Sequence, residues 1–134
     1  MSNSSPVRVL LVEDSGLLAG RVGELIRRLP GVELIGTVDT EADALQQVTT
    51  STPDVLILDL HLRSGSGFGV LRTLGRTVPA RPKVIVLTGF DLPQYRHEAE
   101  TLGVDAFLNK SRDYHRLPVL LSGYAAQRAA PDEH

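Results

Sequence analysis

Glu13, Asp14, Asp59, Thr88 and Lys110 are the residues of this chain whose types can do chemistry together. Each stands at the end of a short apolar run: Val-Arg-Val-Leu-Leu-Val before Glu13, Val-Leu-Ile-Leu before Asp59, Val-Ile-Val-Leu before Thr88, Ala-Phe-Leu-Asn before Lys110. Gathered in one crevice, three carboxylates repel one another and raise their pKa values unless a cation intervenes. An oxygen-rich site of two or three carboxylates suits Mg²⁺, which keeps several waters and bridges to phosphate oxygens. Lysine is a point-charge partner for phosphate, and a threonine hydroxyl can donate to it. An aspartate can itself be the nucleophile and form an aspartyl phosphate. Each residue alone also has a plainer reading. Asp59 can cap the next helix, Glu13-Asp14 can be an acidic pair favoured at a helix start, Thr88 can be a strand residue and Lys110 a solvated one.

The elements that must carry these residues read as five strands alternating with five helices. Residues 7–12, 32–38, 55–58, 83–88 and 104–109 are apolar or β-branched runs, the pattern of strands buried on both faces. Ser15 is a helix cap, and Leu18, Val22, Leu25, Ile26 and Leu29 follow on one face until Pro30-Gly31. Thr40-Glu-Ala-Asp43 resembles a capping box and opens a short helix ending near Thr50. Phe68, Leu71 and Leu74 mark a third helix, before a break over 78–82. Pro93 suits the first turn of a fourth, after Asp91, with Leu92, Tyr95, Ala99 and Leu102 on one face and Gly103 at its end. The last helix is expected over 113–128, or from nearer Leu117 because Pro118 fits poorly inside a helix. Strands alternating with helices, joined without hairpins, imply a parallel sheet covered on both faces. Ligands then bind beyond the carboxyl ends of the strands, where the five residues stand.

The whole length, 134 residues, suits one domain: a disordered lead over 1–6, a folded unit over 7–128 and a flexible tail over 129–134. A net charge of −2 gives no global field pointing to nucleic acid or membrane, and Arg8, Arg27, Arg28 and Arg96 form no basic stripe. The absence of cysteine excludes disulfides, thiolate metal sites and a cysteine nucleophile. No apolar run approaches the ~20 residues of a membrane span and the polar start is no export signal, so the cytoplasm is the expected location. Gly65-Ser-Gly-Phe-Gly69 is not the nucleotide fingerprint G-x-G-x-x-G, because position 70 is Val; it reads as a flexible loop beside Asp59. Histidines 61, 97, 115 and 134 lack zinc-ligand spacing, and His97 and His115 are expected on exposed helix surfaces. His61 also breaks the Asp-x-Asp pattern of a phosphatase.

The motifs Leu11-Val-Glu-Asp14, Asp54-Val-Leu-Ile-Leu-Asp59, Gly67 eight residues after Asp59, Val86-Leu-Thr-Gly89 and Phe107-Leu-Asn-Lys110 together resemble the response-regulator receiver domain, the CheY-like family of two-component signalling. The resemblance implies a flavodoxin-like doubly wound (βα)5 fold with strand order 2-1-3-4-5. It implies that Asp59 is the phosphoacceptor and that Asp14, Asp59 and the backbone carbonyl of His61 bind Mg²⁺, with Glu13 acting through water. Thr88 and Lys110 would grip the phosphoryl oxygens. Phe107 would be the aromatic switch, and Gly89 would leave the phosphoryl group accessible. Leu62 and Arg63 stand where members often carry Met-Pro, and Ser111 follows the lysine where many carry Pro. His61 and Phe90 fall where side chains tune the lifetime of the phosphate. The expected partners are a histidine kinase or histidine phosphotransfer protein, and a downstream protein or second copy meeting the fourth helix, fifth strand and fifth helix, with Leu92, Tyr95, Arg96, Phe107 and Tyr114 as candidates. Neither nucleic acid nor membrane is an expected partner. Three alternatives stay open: a docking adaptor that is never phosphorylated, a receiver fragment of a DNA-binding regulator, and a hydrolase using Asp59 on external substrates.

Overall fold

The computed structural model describes residues 5–77 and 81–129. The expected lead, the 78–82 break and the tail fall wholly or partly outside those residues. The order is β1 (Val7–Val12), α1 (Gly16–Arg27), β2 (Val32–Val38), α2 (Glu41–Ser51), β3 (Val55–Leu58), α3 (Gly67–Thr77), β4 (Lys83–Thr88), α4 (Pro93–Thr101), β5 (Ala106–Asn109) and α5 (Arg116–Ala129). The five strands form one parallel sheet in the order β2-β1-β3-β4-β5, the flavodoxin-like arrangement.

The apolar runs are continuous because the sheet is covered twice. Leu10, Val12, Leu56, Leu58, Val84 and Val86 face a core completed by α2, α3 and α4. Their neighbours Val9, Leu11, Val55, Ile57, Ile85 and Leu87 face a second core completed by α1 and α5. Successive side chains point to opposite faces, and here both faces are dry. Each fully buried Leu, Ile or Val contributes about 1.5–3 kcal/mol relative to exposure.

Helix starts follow the expected chemistry. Ser15 Oγ accepts from the Leu18 N–H, and Thr40 Oγ1 from the Asp43 N–H at 3.1 Å. Pro118 is the third residue of α5, where the missing N–H has no intrahelical partner to lose. Three expectations need correction. The fifth strand begins at Ala106 rather than 104, because the Asp105 carboxylate takes the Val84 N–H at 2.8 Å where the ladder would otherwise start. Leu92, expected on one face with Tyr95, Ala99 and Leu102, is the N-cap of α4 without a side-chain bond and, unlike those three, stays outside the core of α2, α3 and α4. His115 is exposed but sits in the turn before α5, not on a helix.

Gly67 opens α3 directly against the strand end. A Cβ there would run into the Asp59 carbonyl oxygen and lie 2.9 Å from Leu60 Cα. Both obstacles are backbone, so no rotamer change relieves them. Gly67→Ala is therefore expected to destabilise the fold by roughly 1–3 kcal/mol, read as a lower urea midpoint at unchanged slope. An unchanged midpoint would mean that α3 can move away from β3 freely.

Candidate functional site

Ladder bonds continue past the strand ends and set the rim. Asp59 N–H donates to Val12 O, Glu13 N–H to Val38 O and Lys110 N–H to Thr88 O, at 2.9–3.0 Å. Residues 13, 59, 88 and 110 are thereby held at one edge although up to 97 positions separate them. Lys110 Nζ donates to Asp59 Oδ2 at 2.8 Å and lies 3.1 Å from Glu13 Oε1. Glu13 and Asp59 are each only 3% exposed, while Asp14 is exposed. One carboxylate oxygen from each of Glu13, Asp14 and Asp59 falls within 4.8 Å of the others. Three convergent oxygens, one open to solvent, fit a hard divalent cation that keeps waters.

The electrostatics are those of a crowded acidic pocket. Burial pushes the Glu13 carboxyl above its ordinary pKa, and the Asp59 charge adds to the rise; the Ser15 N–H, 2.9 Å away, and Lys110 only partly offset it. Burial works to lower the Lys110 pKa, but its hydrogen bond to Asp59 and the charges of Asp59 and Glu13 outweigh that and hold the ammonium above its usual value. Asp59→Asn removes one of the two influences raising Glu13, so the Glu13 pKa is expected to fall toward the ordinary range. A carboxyl-detected NMR titration reads this, and an unmoved Glu13 would mean that the two acids do not sense each other.

Thr88 is fully buried, and its Oγ1 accepts from the Phe90 N–H at 3.2 Å. His61 N–H donates to Asp59 Oδ1 at 3.3 Å, and the centre of the His61 ring lies 5.2 Å from that of the Phe90 ring. Phe107 is buried with the Arg96 guanidinium 4.5 Å from its ring centroid.

Residues 9–122 match the family described as Response regulator receiver domain. The chain belongs to this family. A protein-glutamate methylesterase/protein-glutamine glutaminase 5 of Myxococcus xanthus is 38% identical over 88 residues, 66% of this chain and 25% of that protein. Among solved structures, the signal receiver domain of a Luxo repressor protein from Vibrio parahaemolyticus superposes with a TM-score of 0.81 at 28% identity, covering 92% of each chain. The Mn²⁺-bound form of response regulator Rcp1 superposes at 0.76 and 26% identity, covering 96% of this chain and 98% of that one. The chain spans a quarter to a half of the length of the first curated relatives it matches. Among the described residues, no helix is long and apolar enough to cross a membrane.

Several features of this receiver were not anticipated from sequence. Asn109 organises the turn after Lys110: its Oδ1 accepts from the N–H groups of Ser111 and Arg112, at 2.8 and 3.0 Å. Asp91 stands just ahead of α4 as expected and, in addition, binds Arg96 at 3.0 Å and pairs with Arg112, joining the loops that follow β4 and β5. The candidate output residues do not share one face. Tyr95 packs near Phe68 in the core beneath α3 and α4, whereas Tyr114 joins the core of α1 and α5. Of these candidates Leu92 is exposed, Tyr95, Arg96 and Tyr114 are half-buried and Phe107 is buried. The Asx pattern Asn109-x-x-x-Asp113 was the one local signal available, since Asn and Asp bond nearby backbone.

Proposed function

We propose that the protein is a phosphorylation-activated signalling receiver in which Asp59 accepts a phosphoryl group from a phosphohistidine on a histidine kinase or phosphotransfer protein. The observation that carries this reading is Lys110 Nζ at 2.8 Å from Asp59 Oδ2, beside two further carboxylates. A carboxylate oxygen of Asp59 attacks phosphorus, the N–P bond breaks, and the electron pair returns to the imidazole. Asp14, Asp59 and the His61 carbonyl would hold Mg²⁺, with Glu13 acting through water, and the ion would supply charge neutralisation for the phosphoryl oxygens. Lys110 supplies fixed positive charge where the new oxyanions form. The Thr88 hydroxyl, now turned to the Phe90 N–H, is free to donate its proton to a phosphoryl oxygen. His61 and Phe90 form the cover through which water must approach the acyl phosphate, and so set its lifetime.

Activation follows from differential affinity: the phosphoryl group favours whichever conformer offers it Thr88 and Lys110. Drawing Thr88 inward vacates space beside buried Phe107, the switch. Because Arg96 lies on the Phe107 ring and is tied to Asp91, rearrangement there reaches the α4-β5-α5 surface. A downstream protein or a second copy reads that surface, with Leu92 and Arg96 at its centre. Incubation with Mg²⁺ and acetyl phosphate tests the reading by intact mass. A labile gain of one phosphoryl group supports it, no gain leaves a docking adaptor, and turnover of acetyl phosphate without accumulation points to a hydrolase.

A further inference from the structure

The loop after Asp59, expected to be flexible, is fastened to the start of α2. Arg63 N–H donates to Asp39 O at 3.1 Å, and its guanidinium forks onto the Asp39 carboxylate at 2.9 and 3.2 Å. Glu41 N–H donates to Ser64 O, and Thr40 and Ser64 form a parallel bridge. Glu41 Oε1 then accepts the Ser66 N–H at 3.0 Å. Ser66 in turn caps α3 through the Gly69 N–H and forms an antiparallel bridge with His61. The glycines of the loop make room for this carboxylate. A Cβ at Gly65 would lie 2.5 Å from Glu41 Cβ, and one at Gly69 would collide with the Glu41 carboxyl group. Gly65 also has φ +75°, which disfavours any other residue.

We propose that Glu41 is a positioning residue for the metal site: seated in the Gly65–Gly69 slot, it holds Ser66 in place opposite His61, in the antiparallel pairing whose backbone bond runs from the Gly67 N–H to Leu60 O at 3.0 Å, and so steadies the peptide that carries the His61 carbonyl. The inference rests on the reading of that carbonyl as a metal ligand. The physical reason is that a backbone oxygen has no side chain to lock its direction; only the hydrogen bonds of its loop can do so. Asp39 and Arg63 are exposed to solvent and their side-chain pair contributes little; the backbone bonds hold residues 63 and 64, and the part-buried Glu41 carboxylate is what reaches on to Ser66, opposite His61.

Titration calorimetry of the whole chain with MgCl₂ tests this. Glu41→Ala is expected to weaken Mg²⁺ binding about tenfold, the usual scale for losing an outer-shell partner, and to speed amide exchange at residues 61–66. Glu41→Gln keeps an oxygen acceptor for the Ser66 N–H and is expected to stay within about twofold of the unaltered chain. Gly69→Ala, which evicts the carboxyl group from the other side, is expected to reproduce the loss with Glu41 intact. Unchanged affinity in Glu41→Ala, or an equal loss in Glu41→Gln, overturns the positioning role and leaves the proposed function standing. If the unaltered chain binds no Mg²⁺, or Asp14→Asn binds it equally well, the metal site itself is wrong and the role of Glu41 falls with it.

Discussion

Asp59→Asn is expected to gain no phosphoryl group from Mg²⁺ and acetyl phosphate under conditions where the unaltered chain gains one. The substitution keeps the shape of the side chain and one oxygen that can still accept from Lys110 Nζ, now 2.8 Å from Asp59 Oδ2. It removes the carboxylate, and an amide oxygen does not attack phosphorus at a useful rate. The fold should survive, because Asp59 adds no apolar packing and its deletion relieves repulsion with Glu13. Neither neighbouring acid shares the setting of Asp59: Glu13 is also tied to the Ser15 N–H, and Lys110 Nζ donates to Glu13 and Asp59, while Asp14 lies on the exposed side of the cluster. Intact mass spectrometry decides the matter: an equal mass gain in the asparagine variant would show that the phosphoryl group goes elsewhere.

Lys110→Met should slow the same phosphotransfer by about 10²–10³-fold, the usual cost of deleting one preorganised charge-stabilising donor. Methionine retains most of the stem, so packing is little disturbed and the loss isolates the ammonium. Rates from a stopped time course with acetyl phosphate check it, and a change of less than threefold would leave Lys110 without a part in the chemistry. A second signature follows from charge. Lys110 is one of the groups that hold the Glu13 pKa down, so in the variant that pKa climbs further above its unfolded value. The folded state then binds more protons than the unfolded one between the two pKa values, and stability falls as pH rises through that window. The variant should therefore lose more stability, relative to the unaltered chain, at neutral pH than at mildly acidic pH. Thermal melts at the two pH values would expose the opposite sign at once.

Much of this site is legible along the chain because both of its causes are local. A strand covered on two faces must be apolar at every residue, so Val55 to Leu58 announces itself and the polar residue that breaks the run, Asp59, marks its end. Four runs ending on Glu13, Asp59, Thr88 and Lys110 state the composition of the rim before any coordinates exist. The Glu41 carboxylate is different. Its partners are 25 residues away, and Thr40-Glu-Ala-Asp43 looks the same whether that side chain faces water or a glycine slot. Residues 65–69 were expected to be a flexible loop for the same reason: their glycines signal freedom in isolation, whereas Gly67–Gly69 open α3 and Gly65 and Gly69 become a cradle once Glu41 is seated between them.

The sequence by itself determined the alternation of strands and helices, the parallel sheet, the family resemblance and the set of acids with a lysine at one edge. These depend on periodicity and on which residue ends each run, properties written in neighbouring positions. Tertiary structure alone decided that Lys110 touches both Glu13 and Asp59, that Tyr95 and Tyr114 pack against opposite cores, and that Asp91 ties two loops. Those outcomes depend on distances between side chains on different elements. A turn of α4 by one residue, about 100°, would carry Tyr95 and Arg96 away from their partners while leaving the sequence pattern as it is.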